Sequence, residues 1–342
     1  MNRQRMRGFS LTELLVAVAV GSLIMMGIYS VFMNSLNVFQ GQQEVGQIQF
    51  NAKAVTAYMR EKIANAGSGI QADIPLPTMV FINNASTISN YYQPGSDAIQ
   101  VRTFGNAGDI MNIEKYMGSA ATATLGESYI DNNPTNGENT SVGNLLLVWG
   151  GTATPGNYAL VEITHAVHGG TETETSVNFS PGLSMYNTPG GLGDEYDGGF
   201  AIMVDRNSMN SLTFFVDSTN VLRMATGGAT ATFNLADPGN ALNPSALPLL
   251  DDVEDFQVEL GFDVDDDNVV DNWTFSDAGF DINDLLAVKC YVLCRAPRAD
   301  RFASNITRPD IDQTDDVTYP DAPDNVRRRL YSFSVQLRNR LN

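Results

Sequence analysis

Three sets of residues in this 342-residue chain combine types and spacings that could do chemistry. The first is Glu13, which sits directly before Leu14 to Met33, a stretch with no charged residue. A carboxylate in an apolar span costs about 2.5 to 3.5 kcal/mol near the centre of a bilayer and less near its edge, so it calls for a positive partner. The second set is Asp263, Asp265, Asp267, Asn268, Val269 and Asp271, which follows the first nine positions of a calcium loop. Carboxylates at alternate residues, with a carbonyl from Val269, let oxygen ligands converge on one hard cation as the chain curls. Two residues depart from that pattern. Asn268 stands in place of Gly, although Asn tolerates positive φ, and Thr274 stands in place of a bidentate Glu. Calcium is thus a candidate ligand in the roughly 0.1 to 1 mM range, against the plainer reading of a solvated acidic hairpin between two strands. The third set is Cys290 and Cys294. Four apart on a strand, their Cα atoms lie about 13 Å from each other, beyond the roughly 7 Å reach of a disulfide. The expected state is two buried free thiols on the same face as Val292.

Other constellations carry less. His165 and His168 have helical spacing but follow a strand-like run, precede Gly169-Gly170 and lack a third ligand, so they read as loop histidines. Arg327, Arg328, Arg329, Arg338 and Arg340 form the one basic concentration of the head and are expected to face acidic neighbours or solvent on a final strand. There is no P-loop, nucleophile elbow or dinucleotide fingerprint, and the many acids nominate no acid/base couple, so no enzyme is expected.

The elements that must position these residues divide into two kinds. Residues 9–33 reach the roughly 20-residue length of a membrane-spanning helix. Beyond it, within 34–66, Val45, Ile48, Ala52, Val55, Met59 and Ile63 recur at intervals of three or four, an amphipathic stripe that continues the helix. Gly67-Ser68-Gly69 supplies the stop. One helix from Phe9 to Ala66 would approach about 87 Å, with Gly21, Gly27, Gly41 and Gly46 as expected points of bending. Residues 67–342 read as a β-rich head. Strand-like runs occupy Ala98 to Phe104, Leu145 to Trp149, Tyr158 to Ile163, Phe200 to Val204, Leu212 to Val216, Val221 to Met224, Val253 to Val264, Leu286 to Arg295 and Leu330 to Arg338, separated by Gly, Asn, Asp, Thr and Pro clusters. Leu212 to Val216 and Val221 to Met224 form a hairpin. Gly105 to Gly143 and Thr226 to Pro248 show no period and are expected as loops.

Composition narrows the classes further. Lys and Arg number 20 against 39 Asp and Glu, a net charge of −19, so stable nucleic-acid binding is not expected. Two His and two Cys exclude a His-rich metal centre, a disulfide scaffold and a Cys-based zinc module. At 43% apolar residues the chain is not a disordered acidic polymer. Residues 1–8 run against the average: Arg3, Arg5 and Arg7 are there with no acid, and losing them takes the net charge from −19 to −22. With that basic end on the cytoplasmic side, the rest of the chain lies outside the inner membrane.

Gly8-Phe9-Ser10-Leu11-Thr12-Glu13-Leu14-Leu15-Val16, between a basic leader and a membrane span, resembles the signal of type IV prepilins and type II secretion pseudopilins. The resemblance implies cleavage after Gly8 by a prepilin peptidase, methylation of the new terminus at Phe9, and pairing of Glu13 with the terminal amine of a neighbouring subunit. Val253 to Gly261, Val288 to Arg295 and Arg328 to Arg340, with the ending Leu337-Arg338-Asn339-Arg340, are similar to the PilW group of minor pilins over roughly Leu249 to Asn342. The implied fold is α+β and type IV pilin-like, a long N-terminal α-helix packed on a large antiparallel head. The implied role is a pilus subunit working with other pilins and minor pilins and a tip adhesin, first in the inner membrane and then in an extracellular pilus. A J-type pseudopilin is disfavoured by the long head and the ending, and a membrane-anchored, calcium-dependent adhesion module is the alternative from another class.

Overall fold

A computed structural model of the chain describes residues 11–69, 78–85, 91–104, 107–117, 122–126, 142–153, 158–168, 175–180, 187, 196–204, 209–228, 246–265, 267–276, 279–280, 284–297 and 325–337. The first element, α1 (Leu11–Ala64), is an unbroken helix of 54 residues, about 81 Å long. It runs through Gly21, Gly27, Gly41 and Gly46 without interruption, so the expected bending points do not break it. Each Gly costs about 1 kcal/mol of helix propensity relative to Ala, and the Leu, Ala and Met residues around it keep the helix intact. The large apolar side chains along Leu11 to Phe39 are exposed, whereas Ala52, Met59 and Ile63 are fully buried and Ile48 and Val55 pack beside them. The stripe read at three- and four-residue intervals is therefore the face that the head covers. Burying Met59 and Ile63 contributes about 1.5 to 3 kcal/mol each relative to exposure.

The helix stops where glycine permits a left-handed turn. Gly67 has φ 75°, a conformation that costs a side-chain-bearing residue. Its N–H then donates to the carbonyl of Arg102 at 2.7 Å, and Phe104 N–H donates to Ser68 O at 2.7 Å, which ties the helix end to the sheet.

Among the described residues the head carries sixteen strands. In chain order they are β1 (Met79–Ile82), β2 (Ala98–Thr103), β3 (Ala107–Met117), β4 (Thr122–Leu125), β5 (Leu145–Trp149), β6 (Tyr158–Glu162), β7 (His165–His168), β8 (Thr175–Asn178), β9 (Phe200–Val204), β10 (Asn210–Val216), β11 (Leu222–Gly228), β12 (Leu247–Leu250), β13 (Val253–Phe262), β14 (Asn272–Thr274), β15 (Leu285–Arg295) and β16 (Arg328–Gln336). They form antiparallel sheets of order β1-β2-β10-β11-β12, β14-β13-β15-β16 and β6-β5-β9-β3-β4-β8-β7. The fold class is α+β. All nine strand-like runs of the sequence are strands, and β10 and β11 pair as the expected hairpin, Val216 opposite Leu222.

Two expectations are corrected. The stretch Gly105 to Gly143, expected as loop, contains β3 and β4, and Thr226 to Pro248 contributes the ends of β11 and β12. His165 and His168 lie on a strand, β7, and not in a loop; β7 pairs with β8, with His165 opposite Asn178 and His168 opposite Thr175. These strands are short or polar, and their pairing supplies what their own sequences lack.

One core lies between α1 and the first two sheets, uniting Met59 and Ile63 with Ile99, Phe214, Phe256, Val288 and Val335. The seven-stranded sheet has a core on each face. All five residues of β5 are buried: Leu146 and Val148 enter one core, and Leu145, Leu147 and Trp149 enter the other.

A polar clamp joins the five-stranded and four-stranded sheets. Asp97, 1% exposed, accepts the N–H of Asn84 on Oδ1 at 2.9 Å and the N–H of Val258 on Oδ2 at 2.8 Å. Its own N–H donates to Phe256 O at 2.8 Å. Ser96 Oγ donates to buried Asp255 at 3.0 Å, and Gln257 Nε2 reaches the same carboxylate at 3.0 Å. The clamp thus satisfies the backbone of β13 where β14 no longer runs beside it.

A second buried carboxylate holds the β10–β11 turn. Asp217 accepts the N–H groups of Thr219 and Val221 at 2.9 and 3.0 Å, the Thr219 hydroxyl, and the Arg223 guanidinium. Burial alone raises its pKa, but these hydrogen bonds outweigh burial and hold it below the usual carboxylate value. A depressed folded value means stability that is fully present above the unfolded pKa of about 4 and is lost as pH falls through the folded value. Urea midpoints of the wild type and Asp217→Asn should therefore converge as the pH is lowered below about 4; a constant gap would contradict this assignment.

Candidate functional site

Glu13 occupies the first turn of α1, on a helix whose apolar window from the N-terminal side has no part buried inside the protein. It is the only charged residue from Leu11 to Gln43. A long apolar surface with one carboxylate near its start suits an environment free of water and a partner of opposite charge. Gly8 and Phe9, the residues expected to be processed, lie outside the described residues.

The acidic turn follows β13. Asp263 is 7% exposed; its Oδ1 accepts the N–H of Asp267 at 3.2 Å and its Oδ2 the N–H of Asn268 at 2.8 Å. Asp267 accepts the N–H of Val269 at 2.8 Å, and Asp271 that of Val264 at 2.8 Å. Asn268 has φ 63°, the left-handed backbone that the turn requires at this position. One carboxylate oxygen each from Asp263, Asp265 and Asp267 lie within 4.8 Å of one another, and Asp271 is not part of that trio. The carboxylate of Asp267, and then that of Asp271, push the exposed Asp265 carboxyl above its ordinary pKa. Thr274, at the place of a bidentate Glu, is on β14 and donates its hydroxyl to Ser276 O at 3.1 Å.

Cys290 and Cys294 are free and buried on β15, in one core with Val292. Burial, and then Asp252, push the Cys294 thiol up to about 12, and burial chiefly raises Cys290 as well. Both are protonated and inert packing groups. Of the basic concentration, Arg328 Nη2 lies 3.1 Å from Glu254 Oε1, and the Arg329 guanidinium lies 6.0 Å from the centre of the Tyr331 ring; Arg338 and Arg340 lie outside the described residues.

One grouping was not legible in the chain. Register brings Glu259, Trp273, Lys289 and Tyr291 together on the outer face of the four-stranded sheet, although Lys289 and Tyr291 are 30 and 32 positions from Glu259. The available signal was modest: one of only two Trp residues, next to an acidic turn and within a strand of the hairpin.

The profile for Type IV Pilus-assembly protein W matches residues 207–339, and the Prokaryotic N-terminal methylation motif matches residues 3–29. These two matches support a PilW-like type IV pilin. The first match begins well before Leu249, so the similarity takes in the β10–β11 hairpin as well as the C-terminal strands. Among solved structures, the type IV-like pilin TTHA1219 from Thermus thermophilus matches at 10% identity and a TM-score of 0.35, over 86% of this chain and 98% of that one. No curated protein sequence matches the chain. The matches support a minor pilin subunit of a type IV pilus, with a structural role, a prepilin methylation motif, membrane anchoring and contact with other pilus components.

Proposed function

We propose that prepilin peptidase removes residues 1–8 after Gly8, that Phe9 becomes the methylated first residue, and that residues 9–33 cross the inner membrane once with the 67–342 head exported. Residues 34–66 carry the helix onto the head. In the extracellular pilus, Glu13 pairs with the Phe9 amine of a neighbouring subunit, and the head meets other minor pilins and a tip adhesin, priming the filament. The observation that carries this reading is the exposed apolar flank of α1, with a single carboxylate at its start. Mass spectrometry of the protein from its native membrane is expected to find a chain starting at Phe9 with one added methyl group. A mature chain that retains Met1 would rule the reading out.

A second property is proposed for the acidic turn, supported by the convergence of Asp263, Asp265 and Asp267 and by the left-handed Asn268. With Val269 and Asp271 completing the pattern, these residues bind calcium weakly, at roughly 0.1 to 1 mM. Calorimetry on the full chain in detergent, stripped with chelator, should give saturable heat on adding calcium, and the Asp265→Asn/Asp267→Asn double variant should give none. Absence of heat from the wild type over that range would leave the turn as a solvated hairpin.

A further inference from the structure

The outer face of the four-stranded sheet carries a half-exposed aromatic group. Trp273 is 42% exposed, whereas Trp149 is 8% exposed. It stands opposite Gly261 in the β13–β14 pairing. A Cβ at position 261 would come within 3.0 and 3.1 Å of the Trp273 ring carbons Cζ3 and Cη2 and 2.9 Å of Val270 Cγ1. Only glycine lets the indole lie this close over the sheet.

Around the indole the chemistry is polar but balanced. Lys289 Nζ lies 5.6 Å from the centre of the Trp273 ring and 5.2 Å from that of Tyr291. The same ammonium donates to Glu259 Oε2 at 3.1 Å, and the Tyr291 hydroxyl donates to that oxygen at 2.7 Å. One positive and one negative charge therefore cancel locally, on a chain of net charge −19. The next strand extends the same face: Ser334 is opposite Lys289 and Ser332 is opposite Tyr291, both exposed.

We propose that this face is a binding platform for a neutral oligosaccharide. A sugar ring offers a C–H face that packs on an aromatic surface and a rim of hydroxyls that both donate and accept. Trp273 supplies the first partner, with a large rigid area that loses little entropy on binding. The rim is met by a set that donates and accepts at several points: the Lys289 ammonium donates, the Glu259 carboxylate accepts, and the Tyr and Ser hydroxyls do both. The internal pairing of Lys289 with Glu259 leaves no net charge to attract an ionic ligand, which favours an uncharged, hydroxyl-rich one over the cation that the nearby acidic turn would draw.

The chain's two Trp residues make the test direct. In a Trp149→Phe background, Trp273 is the one indole reporter, in full-length protein held in a zwitterionic detergent free of sugar headgroups. Maltohexaose, cellohexaose and chitohexaose are the probes. At least one should shift Trp273 emission to shorter wavelength in a saturable way, with a dissociation constant on the order of 1 mM. In the same background Lys289→Ala should weaken that binding by about tenfold, with circular dichroism unchanged. Two results would overturn the proposal: no shift with any probe up to about ten times that concentration, or a shift that follows protein concentration and ignores the sugars. The latter would make the face a contact between copies of the chain.

Discussion

Glu13→Ala is expected to leave the leader removed and the N-terminus methylated, yet to lower the subunit's share of sheared filaments by about a hundredfold. The size follows from the surroundings. Glu13 is the one charge in more than thirty residues of an apolar helix, and in a low-dielectric bundle its proposed attraction to a subunit amine would be weakly screened. Removing one member of a buried pair costs about 3 to 5 kcal/mol, because the other charge stays buried and unpaired. At 1.4 kcal/mol per factor of ten, the lower end of that range is already about a hundredfold. Immunoblots of filament and membrane fractions measure the ratio, and mass spectrometry of the membrane fraction checks processing. Glu13→Asp should lie between the two, since it keeps the charge on a shorter arm. Equal incorporation of Glu13→Ala and wild type would remove charge pairing from the account of assembly.

The second large effect concerns stability. Asp97→Ala strips the acceptor from two N–H groups, those of Asn84 and Val258, at a site with 1% exposure. Each orphaned buried donor costs about 1 to 3 kcal/mol, so a loss of about 3 kcal/mol is expected, within a typical total of about 5 to 15 kcal/mol. The damage should also be directional, because Asp97 joins the loop before β2 to β13 and thereby two sheets that share the helix core. Urea unfolding of the full chain, followed by near-ultraviolet dichroism, should show a lower midpoint for Asp97→Ala and a smaller decrease for Asp97→Asn, whose carbonyl still accepts one bond. A change below about 1 kcal/mol for Asp97→Ala would mean that water replaces the carboxylate there.

What could be read from the chain was whatever is local. The helix stripe through Ala52, Met59 and Ile63 is a repeat of three and four, and the burial of those residues follows from it. Cys290 and Cys294 are free and on one face, as the strand geometry that sets their separation requires. The methylation motif is likewise a contiguous string, matched over residues 3–29. The parts missed depend on partners far along the chain. In β3 the alternation of buried Met111 and Ile113 with exposed Asn112 and Glu114 is brief, and the strand owes its existence to pairing with β9 and β4. β7 and β8 are four residues each, too short for any period to show. The acidic turn lies between these cases. Alternating Asp residues announced it, but bringing Asp263 to its neighbours required the N–H groups of Asp267 and Asn268, while Asp271 turned to Val264.

The bare flank of α1, from Leu11 to Phe39, bears on how the subunit travels. That surface is incompatible with bulk water, so on the proposed route the helix would pass from lipid to filament without an aqueous stop. Both hosts are apolar, and the hydrophobic effect favours neither of them by much, just as it does little to draw one helix to another within a bilayer. The hand-over would then be nearly level, and small differences would decide its direction: the salt link proposed for Glu13 and whatever grip the head finds on its neighbours. On the proposed route, a subunit poised in this way would be loaded and withdrawn with modest work, a reversibility that follows from leaving half of a helix uncovered.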